Sequence, residues 1–414
     1  MSDRPKNPGR RSWLRAAGAA AAWRSLGLAV PHWRLIPAGL LPVVAQAGTD
    51  ELERYGKSEL RLLNDRPLNA ETPAHLLDDA VTPAARHFVR NNGYVPAAAT
   101  DANAWSIQVH GEACAAPRSV TVGELKRRFR QVTLQLQLEC GGNGRAEFRP
   151  RASGNPWTTG AIGCAQWRGI RVADLLDDVG MTDAAVYVAY RGADRHLSGA
   201  SDKDPISRGV PVAKALEPES LLAFEMNGAP IPLLHGAPAR LVFGGWPAST
   251  SGKWVNELLI RDRVHDGAKM GGKAYRMPCE PMAPGAKAKD DAMCIIESMP
   301  VKSLITFPES GSTVQAGNRF EVRGHAWAGD DRVKKMHIST DFGATWQRAR
   351  LSRPANRLAW QHFRAELTLD TRGYYEVWAR ATDAQGVMQP MLVPGWNPKG
   401  YLNNACHRIA VQVT

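Results

Sequence analysis

Cys140 is the residue of this chain best placed to do chemistry. It follows Val132-Thr133-Leu134-Gln135-Leu136-Gln137-Leu138-Glu139 and precedes Gly141-Gly142-Asn143-Gly144. A thiol at the end of a strand, before a glycine-rich turn, is held rigidly while the backbone beyond it can approach a ligand closely. Thiolate is a soft ligand and suits a soft or high-valent metal. A buried, inert cysteine is the competing reading. The other cysteines are Cys114, Cys164, Cys279, Cys294 and Cys406. None forms a CxxC pair, which removes zinc-ribbon and thioredoxin-type readings, and CxxCH is absent, so the chain attaches no c-type haem. Cys279 and Cys294 bracket a Pro/Ala/Lys-rich stretch and are the candidate pair for a disulfide, with two free thiols as the open alternative.

The elements that must position Cys140 are legible as patterns. Val132 to Leu138 alternates apolar and polar residues, which predicts a strand ending at Glu139-Cys140. Trp105 to Val109 alternates in the same way. Thr121 followed by Glu124 is a capping box, so a short helix runs from there to about Arg128. Val172, Leu175, Leu176 and Val179 recur at helical spacing, and Gly180 stops that helix. Leu221 to Met226 reads as a strand entering a hairpin turn at Asn227-Gly228. Composition changes near residue 300. Beyond it, Phe320 to Ala326 and Met336 to Thr340 alternate, and a turn at Asp341-Phe342-Gly343 leads to Trp346. Tyr375, Val377, Ala379 and Ala381 line one strand face, and Ile409, Val411 and Val413 another. Short strands so spaced predict a β-sandwich of immunoglobulin type. The expected class is α+β, divided into residues 1–47, a polar N-terminal extension over 48–86 broken by Pro67, Pro73 and Pro83, a compact domain over 87–298, and the sandwich over 299–414.

Bulk properties set limits. The 414 residues are 44% hydrophobic and 22% charged, so a large core forms without help from disulfides or structural metal. The formal net charge is +12. No Lys/Arg block, zinc-finger, basic-helix or RNA-recognition signature accompanies it, which argues against nucleic acid. A spread positive charge suits docking to an acidic protein. Arg10-Arg11-Ser12-Trp13-Leu14-Arg15 resembles a twin-arginine export signal, followed by an alanine-rich stretch and a small-residue cleavage site at Ala45-Gln46-Ala47. Arg24 and Arg34 interrupt the apolar stretch, and a basic tail is the bland alternative. The signal implies a periplasmic protein exported in the folded state. No later segment carries about 18 uninterrupted apolar residues, so no membrane span is expected.

A family resemblance adds roles to these patterns. Glu139-Cys140-Gly141-Gly142-Asn143-Gly144-Arg145 resembles the cysteine motif of the sulfite oxidases and related molybdopterin enzymes. Trp157 to Trp167 resembles the next block of that family, and Phe88-Val89-Arg90-Asn91-Asn92 an upstream one. Phe224 to Gly228, His235 to Arg240 and Ser251-Gly252-Lys253-Trp254 are similar to further blocks. The likeness covers roughly residues 80 to 414, and several ordered blocks together are far more specific than any one. It implies a molybdopterin-binding domain followed by an immunoglobulin-like dimerisation domain.

By position, Cys140 would give the protein thiolate to molybdenum, the remaining sulfur ligands coming from the pyranopterin dithiolene. Arg90 and Tyr275 would line the substrate pocket, and Arg145 would shape it or support the turn. His235, Arg240, Ser251, Gly252 and Lys253, with Phe88, Val89, Arg90, Asn91 and Asn92, would hold the cofactor, and Asp194 would accept from the pterin ring. Seen alone, Arg90 would more often be an ion-pair partner, Tyr275 a core aromatic, His235 a structural histidine and Asp194 a solvated acid.

Within the family, Cys-Gly-Gly-Asn-Gly-Arg, Gly163-Cys164-Ala165, Gly272 to Pro278 and Asn403 to Arg408 resemble the sulfane dehydrogenase branch of bacterial Sox sulfur oxidation. Asn92 stands where sulfite oxidases carry histidine. The resemblance implies oxidation of sulfane sulfur held on a cysteine of a carrier protein, electron transfer to a c-type cytochrome subunit, and a homodimer within a hetero-oligomer. Sulfite dehydrogenation with a separate cytochrome is the alternative. A noncatalytic exported interaction protein is a remote one.

Overall fold

The structure is a computed structural model, and it describes residues 49–414. The export signal expected over residues 1–47 lies outside the described residues. The architecture is α+β with strands dominant, and no α-helix among the described residues exceeds seven residues. None is long and apolar enough to cross a membrane.

Two five-stranded sheets build the first half. In one, the strand that ends before the cysteine, Gln131–Glu139, lies at the edge beside Ile162–Arg171, which pairs with Leu221–Met226. The register sets Glu139 opposite Ile162. Asn227 and Gly228 both have positive φ, as a tight hairpin requires, and the chain returns as Ala229–Pro230. Arg240–Val242 pairs with the other edge of Leu221–Met226. In the second sheet the order is Arg118–Thr121, Ser106–His110, Val255–Arg261, Tyr187–Gly192 and Gly209–Pro211. Its central pair, Ser106–His110 with Val255–Arg261, is parallel.

Short helices cover the core between these sheets. The helix Val122–Arg128 starts as expected: the Glu124 N–H donates to the Thr121 hydroxyl at 3.2 Å, and the Thr121 N–H donates to the Glu124 carboxylate at 2.7 Å. Val172–Asp178 buries Val172, Leu175 and Leu176, and Gly180 follows it with positive φ. These residues join Ile107, Val109, Phe224, Val255 and Ile260 in one cluster.

The described part of the 48–86 stretch, read from sequence as a polar extension, is folded against this half. Arg61–Asp65 and Leu68–Glu71 form a sheet with Val89–Arg90. Leu52, Leu60, Leu62 and Leu68 pack with Val89 and Leu234. These leucines follow neither a period of two nor one of 3.6 over a useful length, so no element stood out.

The second half is a sandwich. One sheet runs Val301–Phe307, Arg319–Ala328, Gln361–Thr368, Arg350–Leu351, and the other Ser312–Val314, His407–Val413, Gly373–Asp383, Val333–Ser339, Gln347–Arg348. Val322, Met336, Ile338, Phe363, Val377, Ala379, Ile409 and Val411 fill the space between them, so the period-two faces read from sequence are the buried ones. A two-stranded ribbon, Arg276–Pro278 with Met293–Ile295, precedes the sandwich and carries the Cys279–Cys294 disulfide.

Candidate active site

Cys140 is 5% exposed and sits in a wall shared by two chambers. Its N–H donates to the Ala161 carbonyl at 2.9 Å, and its carbonyl accepts from the Asn143 N–H at 2.8 Å, which starts the turn. Gly144 has φ +94° and closes it. A Cβ on Gly142 would lie 2.3 Å from an Arg145 guanidinium nitrogen, so only glycine lets that side chain fold back over the turn. Arg145 then donates to the Asn155 carbonyl at 2.9 Å and to the Lys399 carbonyl, with its guanidinium 5.1 Å above the Tyr401 ring.

The inner chamber has an empty volume of about 670 Å³. Its lining includes Phe88, Arg90, Asn92, Cys140, Asp194, His235, Arg240, Ser251, Lys253 and Tyr275, so most of the residues named from sequence come together here. The outer chamber, with an empty volume of about 630 Å³, shares Arg90, Asn92, Cys140 and Tyr275 and adds Arg145, Lys269, Lys399 and Tyr401. At the shared wall the Asn92 side-chain oxygen accepts from Arg90 at 2.8 Å and from the Tyr275 hydroxyl at 3.1 Å. Arg90 also donates to the Tyr275 oxygen at 3.3 Å. Tyr275 adopts φ 53° and stacks on Tyr401 at 5.8 Å.

Three residues named from sequence do not line either chamber. Val89 is fully buried in the N-terminal cluster. Asn91 supports from behind, accepting from Lys253 and donating to the Leu68 carbonyl at 3.0 Å. Gly252 serves by its lack of a side chain: a Cβ there would lie 2.4 Å from the Tyr190 ring. The Ser251 hydroxyl accepts from the Phe243 N–H at 2.9 Å, which leaves its own proton free for a ligand.

Cations crowd the inner chamber. Lys253 donates to the Leu234 carbonyl at 3.0 Å, and burial, with Arg240 nearby, holds its pKa well below that of an ordinary lysine. Burial lowers Arg240 to about 9. His235 and His87 are held far below the usual imidazole value by burial and neighbouring cations. Asp194 is the lone carboxylate in the lining, and burial raises it to about 6. Behind His235 stands Lys57, 2% exposed, which donates to the carbonyls of Ala84 and His87 and faces His235 Nε2. Burial brings its pKa down to about 7. Arg208, also buried, lies 4.8 Å over the Tyr275 ring. Sequence reasoning missed Lys57, Arg208 and His87, because only the tertiary structure brings residues so far apart in the chain to one place.

This donor set fits a large anionic ligand. Buried cations without matching carboxylates are costly and call for an anion. The Nε2 of His87 and the Nε atoms of Arg208 and Arg240 are buried without a hydrogen-bond partner. Among the described residues no group of three or more His, Cys, Asp or Glu side chains could hold a metal. A metal held by the Cys140 thiolate would fit a cofactor that brings sulfur ligands of its own, as a dithiolene would.

Comparison with known proteins agrees. Residues 92–269 match the model of the oxidoreductase molybdopterin binding domain, and residues 293–414 that of the Mo-co oxidoreductase dimerisation domain. Chicken sulfite oxidase is 31% identical over 365 residues, covering 84% of this chain and 77% of that protein. Mouse mitochondrial sulfite oxidase is 30% identical over 370 residues, which is 86% of this chain but only 66% of the mouse protein's length. The crystal structure of the sulfane dehydrogenase SoxCD from Paracoccus pantotrophus superposes with a TM-score of 0.71 at 26% identity, covering 93% of each chain. A molybdopterin-binding domain, a dimerisation domain and kinship along most of the sequence together place this chain in the sulfite oxidase family of molybdopterin oxidoreductases.

Proposed function

We propose that the protein oxidises sulfane sulfur carried on a cysteine of a carrier protein, holds molybdenum-molybdopterin through Cys140, and passes electrons to a c-type cytochrome subunit. The observation that carries this reading is the position of Cys140, in a wall with a cation-rich chamber on one side and an open chamber on the other. Bound there, the cofactor supplies a two-electron acceptor. The residues do the rest. The Cys140 thiolate is the protein ligand to molybdenum. His235, Arg240, Ser251 and Lys253 hold the phosphate, charge-assisted donors being the strong ones. Asp194 accepts from the pterin edge. Arg90 orients an anionic sulfur group, and the Tyr275 hydroxyl holds or moves a proton beside it. Arg145 shapes the outer chamber.

The likeness to SoxCD and the neutral amide of Asn92 at the shared wall favour sulfane over sulfite. With its oxygen occupied by Arg90 and Tyr275, Asn92 adds no charge that titrates near neutral pH. Half of the net charge of +12 lies in residues 1–47, and the excess of Lys and Arg that remains beyond them suits an acidic docking partner; the dimerisation domain supports a homodimer, and the likeness to SoxCD supports a further subunit. The twin-arginine-like start supports a periplasmic location. Sulfite dehydrogenation is the second reading, favoured by the identity to the sulfite oxidases. The deciding experiment measures molybdenum content and turnover on carrier-bound sulfane and on free sulfite, for the wild type and Cys140→Ser. Turnover on carrier sulfane that is lost in Cys140→Ser is expected. Turnover on free sulfite alone would replace this reading with the second.

A further inference from the structure

Glu139, the residue immediately before Cys140, has a carboxylate with 0% exposure. A buried carboxylate in a strand is costly unless every lone pair finds a donor. Here each oxygen is met. Lys302 Nζ donates to one at 3.0 Å and Asn143 Nδ2 to the same oxygen at 2.9 Å. Trp327 Nε1 donates to the other at 2.8 Å. Lys302 also donates to the Asn143 carbonyl at 2.9 Å, so one ammonium bridges the strand end and the turn on either side of Cys140. The Asn143 side-chain oxygen accepts from the Ala161 N–H at 3.1 Å, and the Ala161 carbonyl accepts from Cys140 itself.

Lys302 and Trp327 belong to the sandwich, on the paired strands Val301–Phe307 and Arg319–Ala328, where they face each other in register. Two further donors reach the turn from the same half of the chain: the Leu402 N–H to the Gly141 carbonyl at 2.9 Å, and Asn403 Nδ2 to the Gly144 carbonyl at 3.0 Å. The first half supplies the thiol, and the second half grips the backbone on both sides of it.

We propose that Lys302 and Trp327 are positioning residues for the Cys140 thiolate, acting through the Glu139 carboxylate, so that the sandwich fixes the aim and mobility of the metal-binding sulfur. This rests on Cys140 as the metal ligand. Without Lys302, Glu139 is a buried charge short of a partner, and it is relieved by drawing the strand end toward water. The local cost falls on the junction that carries Cys140, while the sheet beyond Leu138 keeps its ladder.

The first test uses the cofactor-free chain and iodoacetamide, with labelling of each thiol followed by mass spectrometry. Cys114, buried in the separate cluster of the first half and facing the Val179 carbonyl, is the internal reference. In Lys302→Met, Cys140 is expected to label about tenfold faster or more, with Cys114 unchanged, and Lys302→Arg should restore protection. Trp327→Phe removes one donor and keeps the ring, so it gives the same reading with a smaller effect if Lys302→Met folds poorly. A Cys140 rate that does not move, or that rises only in step with that of Cys114, overturns the proposal. In the loaded protein, Glu139→Gln should shift the thiolate-to-metal absorption band at unchanged molybdenum content, and an identical band would also count against it. Because labelling needs no cofactor, its failure leaves the assignment of the cofactor untouched, and that assignment is tested separately by Cys140→Ser.

Discussion

Lys57 offers a measurable consequence of the surplus positive charge. It is 2% exposed, pairs with no carboxylate among the described residues, and has its pKa lowered by burial to about 7. The unfolded chain, with an ordinary lysine there, binds the proton more tightly. The cofactor-free protein therefore carries the full penalty at low pH, and gains stability as pH rises through 7 toward the ordinary lysine value. Integrating that difference in bound protons gives about 2 kcal/mol between about pH 7 and pH 9. Lys253, also held down by burial, titrates as well, so the quantity to read is the difference between wild type and Lys57→Met. Thermal unfolding of the cofactor-free chain across that pH range should show the wild-type midpoint climbing relative to the variant by a few degrees. Parallel traces would mean that Lys57 is as easily protonated in the folded chain as in water, and would refute the picture of an uncompensated cation behind His235.

Other substitutions test the chamber walls. Tyr275→Phe keeps the ring on Tyr401 but removes the hydroxyl between Arg90 and Asn92; turnover on the sulfur substrate should fall by roughly a hundredfold at an unchanged unfolding midpoint. Gly252→Ala places a methyl against the Tyr190 ring, whose hydroxyl is anchored to the Ser249 carbonyl at 2.9 Å. It should cost about 1–3 kcal/mol in thermal or denaturant unfolding and lower the molybdenum content of purified protein.

What the sequence disclosed was what local pattern encodes. The alternation from Val132 to Leu138, the Thr121–Glu124 cap and the Asn227-Gly228 hairpin each follow from forces acting over a few residues, and each stands in the structure. The site was legible mainly as a set of resembling blocks, and the fold brings most of them to one chamber. Patterns could not separate a residue that touches the cavity from one that braces it: Asn91 and Gly252 lie within recognisable blocks yet act from behind. Lys57, Arg208 and Glu139 were not read as functional at all. Their surroundings are made by strands distant in sequence, and neither composition nor periodicity reports a lysine from residue 302 arriving beside a carboxylate at 139. The disulfide choice at Cys279 and Cys294 was open for the same reason, and the ribbon that sets them 5.1 Å apart at Cα settles it.

The segment from Pro398 to Asn403 fastens over the cysteine turn, with the Leu402 amide on Gly141 and the Lys399 carbonyl on Arg145. The turn that carries Cys140 is thereby tied to a stretch 254 residues further along the chain. Damage at Leu402 or Lys399 would be felt first at the thiol, far away in sequence, and only afterwards in either sheet of the sandwich.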